Sequence, residues 1–145
     1  MKSIFLLALF AQFHTGIHMS RPSSISIETY EVRLAPWTIT MKRIIGETDT
    51  CYYLLYRDQQ TLNSVQMTTM EFESLKQLKY LAQGLTTLIN GANGDIAEYE
   101  RFSIKKAIQP NSKKTDAWYI LRYGSTSTHF QQAQANRIVN IINKL

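Results

Sequence analysis

Alternation of apolar and polar residues begins at Tyr30 and predicts half-buried antiparallel strands. The alternation runs first over 30–34 and then, after an Ala-Pro break, over 37–45. The aromatic and aliphatic stretch 51–57 predicts a third strand, because it is too short for a helix and rich in strand formers. A shorter alternation over 65–68 indicates a fourth strand.

The spacing of apolar residues then changes to that of an amphipathic helix. Thr68 and Glu71 have the spacing of a capping box, which marks a helix start. Apolar residues recur on one helical face from Phe72 onward, and Gly91 follows as a stop signal. The sequence therefore predicts one long helix over about 69–90.

The second half of the chain shows a similar order of patterns. Alternation over 102–108 and the apolar stretch 117–123 predict two strands, and 125–130 adds either a short strand or a helix N-cap. Apolar residues at helical spacing then predict a closing helix over about 130–145.

The predicted fold class is α+β, with two tandem repeats of antiparallel strands followed by one helix, forming one domain. The repeats are expected at about 28–90 and 96–145. Superposition of 38–45 on 101–108 matches apolar with apolar positions. Because short strands match easily by chance, independent origin of the two halves is the alternative. A chain of 145 residues is long enough for one buried core.

Composition narrows the class of protein. Hydrophobic residues make up 44% and charged residues 19%, which excludes collagen, a heptad rod and a fully disordered chain. The single cysteine, Cys51, excludes an intramolecular disulfide framework and a cysteine-rich zinc site. The formal net charge is +5, and residues 76–145 hold ten basic and four acidic residues against six and seven in 1–75. This asymmetry favours an acidic partner, with an ordinary mixed surface as the alternative.

The amino terminus, 1–27, resembles a targeting segment that is removed or disordered, and 28–145 is expected to be the folded domain. Its apolar run is too short to span a bilayer, so no membrane span is expected. The layout fits a secretory signal, although no small-x-small cleavage site follows. An organelle presequence and a true start at Met19 are the alternatives. An intracellular protein, including an organellar one, is expected, and a secreted or periplasmic protein would follow from a signal cleaved near Gly16.

Motifs for catalysis are missing from the sequence. It contains no glycine-rich phosphate loop, no Gly-x-Ser-x-Gly and no His-Glu-x-x-His. His14 and His18 are four residues apart, but no third metal ligand lies near them. The acidic cluster Asp95, Glu98 and Glu100 follows two glycines and fits a polar turn. We therefore expect a protein that is not an enzyme and has no cofactor and no bound metal.

The doubled order of strands then helix resembles the Whirly, purine-rich-element-binding and transcriptional coactivator p15 families. The resemblance covers about 28–145 as topology, and 65–75 looks like the coactivator's junction of its final strand and helix. Members of these families bind single-stranded DNA or RNA through sheets, with helices on the other side or at a dimer centre. The resemblance therefore implies a homo-oligomer that binds single-stranded nucleic acid, but it carries no binding residue across.

Candidate binding residues come from the chemistry of single strands, which need cations for phosphates and flat aromatic faces for bases. The strands offer both kinds of side chain: Lys42, Tyr53, Arg57, Arg101, Lys105, Tyr119, Arg122 and Tyr123. Ordinary strand packing and solvation are the alternative for each residue. The sequence thus favours non-catalytic binding of single-stranded nucleic acid through a basic, aromatic sheet face. An exported module that binds or inhibits a protein through a sheet face is the alternative.

Overall fold

The computed structural model describes residues 25–34, 37–60, 66–108 and 117–145, which form eight strands and two helices. The strands are β1 (Ser26–Leu34), β2 (Trp37–Ile45), β3 (Thr50–Arg57), β4 (Met67–Phe72), β5 (Ile96–Glu98), β6 (Phe102–Ile108), β7 (Ala117–Tyr123) and β8 (Thr126–Gln131). The helices are α1 (Leu75–Asn90), which follows β4, and α2 (Gln132–Lys144), which follows β8.

The strands form two antiparallel sheets in which neighbours along the chain are neighbours in space. The first sheet has the order β1-β2-β3-β4, and the second has the order β5-β6-β7-β8. One helix follows each sheet directly. The α+β class expected from the sequence is thereby confirmed.

Each sheet has an inner face that packs with the helices and an outer face that does not enter the core. In β3 the alternation is regular, because Tyr52, Leu54 and Tyr56 are buried while the residues between them are partly exposed. The same core includes the apolar stripes of both helices. Ile39, Phe102 and Ile104 are buried, as a core role requires: they are 1%, 8% and 0% exposed.

The start of α1 was predicted wrongly at about residue 69. Residues 67–72 form β4 instead, and Met70 and Phe72 pair with Leu54 and Tyr52 of β3. The actual N-cap is Ser74, whose hydroxyl accepts a hydrogen bond of 3.2 Å from the Gln77 backbone N–H. Pairing with β3 buries Met70 and Phe72, and this gain overrides the local capping signal at Thr68.

The polar segment around Asp95 contains a strand that the sequence pattern did not reveal. Ile96–Glu98 pairs with β6 as β5, although its side chains are exposed or half-buried. Asp95 fixes the backbone that leads into β5, because its carboxylate accepts a 2.6 Å hydrogen bond from the Ala92 N–H. Its own carbonyl accepts from the Lys106 N–H at 2.9 Å. Three residues are too few to show a period, so only the pairing identifies this strand.

The two halves of the chain share one continuous core. The Tyr56 and Thr126 hydroxyls are hydrogen-bonded at 2.8 Å, and Phe72 and Phe102 meet edge to face with ring centroids 6.1 Å apart. Helices α1 and α2 also pack against one another. The second sheet is thus joined to the first by both polar and apolar contacts.

Several expectations lie outside the described residues. They include the targeting segment up to residue 24, Val65, the expected burial of the Trp37 side chain and the expected loop over 110–116. Within the part of the chain that the structure describes, neither helix has the length and apolar character needed to cross a bilayer.

Candidate functional site

The outer face of the first sheet brings three of the expected binding residues together. Lys42 of β2 lies directly opposite Tyr53 of β3, and Arg57 lies further along β3 on the same face. All three are partly exposed. Directly opposed side chains in an antiparallel pair have Cβ atoms about 4.5–5.5 Å apart, so a cation and an aromatic ring are adjacent here.

Acidic side chains offset the cations on this face. Tyr53 donates a 3.2 Å hydrogen bond from its hydroxyl to Glu71 of β4. Burial and the neighbouring Glu71 carboxylate raise the pKa of Tyr53. On β1, Arg33 is ion-paired with Glu31 at 2.5 Å. The first sheet therefore offers an anionic ligand little excess positive charge.

The outer face of the second sheet carries one carboxylate, that of Glu98 on β5, which lies opposite Ser103 of β6 and forms no ion pair with a described residue. Lys105 of β6 and Arg122 of β7 are exposed, and neither forms a hydrogen bond or ion pair with another described residue. Trp118 and Ile120 lie on the same side of β7 as Arg122, because alternate residues of a strand share a face. His129 of β8 stands opposite Ile120. We call the surface formed by Lys105, Arg122, Trp118, Ile120 and His129 the basic face.

The positive charge of the basic face affects the pKa of its histidine, His129. Partial burial lowers the pKa of His129, and the nearby Arg122 guanidinium lowers it further. His129 is therefore mainly neutral at pH 7, since its ordinary pKa is already about 6.5. The fixed positive charge of this surface thus comes from Lys105 and Arg122.

Tyr119 and Tyr123, two of the expected binding residues, do not lie on this surface. Tyr119 is 0% exposed, and its ring packs on Phe130 with centroids 6.1 Å apart. Tyr123 lies on the same side of β7 as Tyr119, opposite Phe102 of β6. The reason is the period of a strand: residues 119, 121 and 123 point inward, so 118, 120 and 122 point outward.

Arg101 lies just before β6, at the junction of the two halves. Its guanidinium donates a 2.9 Å hydrogen bond to the Tyr123 hydroxyl and lies 5.8 Å from the centroid of that ring. A second nitrogen lies 3.6 Å from the Glu73 carboxylate. Arg101 is therefore held at the junction of the two halves, where it lines one cleft together with Arg122.

The expected eight residues are thus divided among four places rather than forming one track. Three lie on the first sheet's outer face, two on the basic face, two at the junction and one in the core: Lys42, Tyr53 and Arg57; Lys105 and Arg122; Arg101 and Tyr123; Tyr119. The aromatic residue that sequence reasoning missed is Trp118. The sequence does contain a signal for Trp118: it is four residues from Arg122 in the stretch 117–123, so a strand places both side chains on the same face.

Comparisons with known proteins add no assignment. No family model matches the chain, and no curated protein matches it. Within 25–34, 37–60, 66–108 and 117–145, no three or more His, Cys, Asp or Glu side chains are grouped so that they could hold a metal ion. The case for a function accordingly comes from the geometry of the sheet faces.

Proposed function

We propose that the protein binds single-stranded DNA or RNA on the basic face, without catalysis. The observation that carries this proposal is the position of Lys105 and Arg122, two exposed cations without an acidic partner among the described residues, beside the indole of Trp118. Cations bind phosphates and a flat aromatic ring stacks on any base, so this pairing suits a single strand without requiring a particular sequence.

The layout of the face supports an extended ligand. Lys105 lies opposite Ile120, and Arg122 lies opposite Ser103, so the two cations come from adjacent strands at successive positions. Trp118 extends the same side of β7 beyond Ile120. A strand lying along β7 would meet Arg122, Ile120 and Trp118 in order, with Lys105 at its flank.

The proposal has two further parts: the two halves of the chain are tandem repeats, and the protein forms a homo-oligomer. Each half consists of a four-stranded antiparallel sheet in sequential order followed by one helix, which supports tandem repeats. We retain the Whirly, purine-rich-element-binding and coactivator resemblance as part of this proposal. A homo-oligomer would multiply the number of basic faces available to one strand and so raise its effective affinity.

A second candidate function is protein binding through the first sheet. It is favoured by two large apolar side chains that are exposed at one corner of its outer side, Ile25 at 61% and Ile27 at 59%, where Ile27 lies opposite Ile44. Exposed apolar groups that lie close together mark interaction sites. This candidate fits an exported module, and intact-mass measurement of the mature protein would support it if about sixteen N-terminal residues are removed.

The salt dependence of binding tests the first proposal. Affinity for a labelled thirty-nucleotide single strand is measured by fluorescence anisotropy at several salt concentrations. Each neutralised phosphate contributes a slope of about −0.7 to the plot of log affinity against log salt. The double variant Lys105→Ala, Arg122→Ala should therefore lower the magnitude of the slope by roughly 1 to 2 units. Trp118→Leu should weaken binding about tenfold at an unchanged slope, because stacking releases no counterions.

A matched control removes the same charge elsewhere. Lys76→Ala with Lys79→Ala takes two exposed cations from α1 and should leave the slope unchanged. Equal slope changes in both double variants would show that net charge, rather than the basic face, governs binding. No binding at low salt would overturn the proposal and leave the protein-binding function as the better one.

A further inference from the structure

A small cavity with aromatic walls lies where the first helix meets the second sheet. The ring of Tyr80 on α1 stacks on Tyr99 with centroids 5.6 Å apart, and Tyr99 stacks on Phe102 at 4.7 Å. These three rings line a cavity of about 100 Å³ together with Glu100 and Arg101. Tyr80 ends the stack among the described aromatic residues, and Tyr80 and Tyr99 are only partly buried.

A wider cleft of about 320 Å³ adjoins this cavity on the side of the second sheet. Tyr99, Arg101 and Phe102 line both spaces. Glu98, Ser103 and Arg122 also line the cleft, and Ser103 of β6 is the register partner of Glu98 on β5 and of Arg122 on β7. Because Arg122 also belongs to the basic face, the surface runs without interruption from that face to the aromatic cavity.

We propose that this cavity takes one guanine base of the bound strand, with the adjoining phosphate held between Arg101 and Arg122. The inference rests on the proposed binding of single strands and names the base that one position of that site prefers. The aromatic stack supplies a flat apolar wall for the base, in the way that recognition of unpaired bases generally requires.

Guanine is selected by the chemistry of Glu100. Glu100 is exposed and lines the cavity, and its carboxylate has no hydrogen-bond or ion-pair partner among the described residues. An ionised carboxylate only accepts hydrogen bonds. Guanine alone presents two adjacent donors on its Watson–Crick edge, whereas the corresponding edge of every other base places an acceptor beside its donor. Glu100 can therefore accept two hydrogen bonds from guanine and repels part of the edge of the others.

The two arginines are suited to the phosphate. Arg122 has no ion-pair partner among the described residues. Arg101 is held by the Tyr123 hydroxyl, and its ion pair with Glu73 is long and exposed, so a phosphate can replace that pair at little cost. The Ser103 hydroxyl lies in the same cleft and can donate a hydrogen bond to phosphate oxygen.

Base preference tests the inference on the full chain. Anisotropy is measured with a thirty-nucleotide strand of thymine only and with the same strand carrying a single central guanine. The wild-type protein should bind the guanine strand about tenfold more tightly, the discrimination that one bidentate contact provides. Glu100→Gln should abolish this preference, so that the variant binds the two strands with equal affinity. Glu47→Gln, which neutralises an exposed carboxylate in the β2–β3 turn, is the matched control and should retain it.

A second measurement uses guanosine monophosphate alone, titrated by calorimetry against the wild-type protein. Tyr80→Leu should remove its binding, whereas Tyr80→Phe should keep it, because the ring and not the hydroxyl forms the wall. Circular dichroism establishes that both variants are folded.

The outcomes separate this inference from the function it rests on. Equal affinity for both strands in the wild-type protein, with Glu100→Gln unchanged, overturns the guanine pocket and leaves strand binding intact. Saturable binding of guanosine monophosphate without any strand binding at low salt overturns the proposed function and supports the pocket. Absence of both kinds of binding overturns both.

Discussion

At the scale of single residues, neighbouring positions on β7 have opposite roles. Trp118 and Arg122 lie on the outer face, where a ligand can reach them, while Tyr119 is enclosed in the core. The Tyr119 hydroxyl is buried without a hydrogen-bond partner among the described residues. A buried, unsatisfied hydroxyl lowers stability, so this tyrosine serves the fold through its ring alone.

Substitution of Tyr119 separates the ring from the hydroxyl. Tyr119→Phe should leave the free energy of unfolding unchanged or raise it by up to about 1 kcal/mol, because only the unsatisfied group is removed. Tyr119→Ala should lower it by about 3–5 kcal/mol, since a large core cavity results. Urea denaturation measures both. A clear loss of stability in the phenylalanine variant would show that the hydroxyl is bonded after all.

The same residue contributes to the pH dependence of stability. Burial raises the pKa of Tyr119, so the folded chain keeps this proton at pH values where the unfolded chain loses it. Stability is therefore lost as pH rises above about 10, the ordinary pKa of tyrosine. Tyr119→Phe should reduce this alkaline loss, which urea denaturation at pH 7 and pH 10.5 would detect.

At the scale of elements, two adjacent lysines of strand β6 have different roles: Lys106 caps helix α1, and Lys105 is exposed. Lys106 is only 8% exposed, and its ammonium donates hydrogen bonds of 3.1 Å and 2.8 Å to the carbonyls of Ile89 and Gly91 at the end of α1. These carbonyls have no partner within the helix, and a positive charge is favourable at this end of its dipole. Lys105, one residue earlier, points to the basic face.

The two adjacent lysines form a matched pair for mutation. Lys106→Met should lower the free energy of unfolding by about 2–3 kcal/mol, because it leaves the helix carbonyls of α1 without charged donors. Lys105→Met should change stability by less than about 0.5 kcal/mol, as expected of an exposed side chain. Urea denaturation compares the two variants. Equal losses would contradict the capping role of Lys106.

At the scale of the whole molecule, a buried carboxylate links the two sheets through a hydrogen bond. Asp58, which follows β3, is 8% exposed and accepts hydrogen bonds of 3.1 Å from the backbone N–H groups of Gln60 and Ser127. The Gln59 N–H donates to the Ser127 carbonyl at 2.8 Å. One short segment therefore satisfies backbone groups of β8, at the opposite end of the sequence.

Removal of this tie should destabilise the whole protein rather than one half. Asp58→Ala leaves the buried Ser127 N–H without its acceptor, which should cost about 1–3 kcal/mol. Asp58→Asn keeps a carbonyl oxygen at the same place and should cost less. Chemical denaturation followed by circular dichroism and by tryptophan fluorescence should give coincident single transitions for both variants, because the halves share one core. Separate transitions would show that the halves unfold independently.

Local pattern was sufficient for much of the fold. Alternation identified β2 and β6, and short apolar stretches rich in strand formers identified β3 and β7, each within one residue of its observed bounds. The closing helix was also predicted near its observed bounds, because its buried residues recur at helical spacing. For the candidate site, alternation predicted outward positions for Lys42 and Lys105, whereas only the pairing of β2 with β3 places Lys42 opposite Tyr53.

Distant contacts decided the rest. The start of α1 depends on β3, which draws Met70 and Phe72 into a strand, and β5 exists because β6 pairs with it. The Tyr80–Tyr99 stack and the hydrogen bond from the Ser127 N–H to Asp58 join residues that no local pattern connects. The amino-acid sequence by itself thus determined the period of each segment, since period is a property of neighbouring residues. Only the tertiary structure decided which segments meet, because burial depends on partners from elsewhere in the chain.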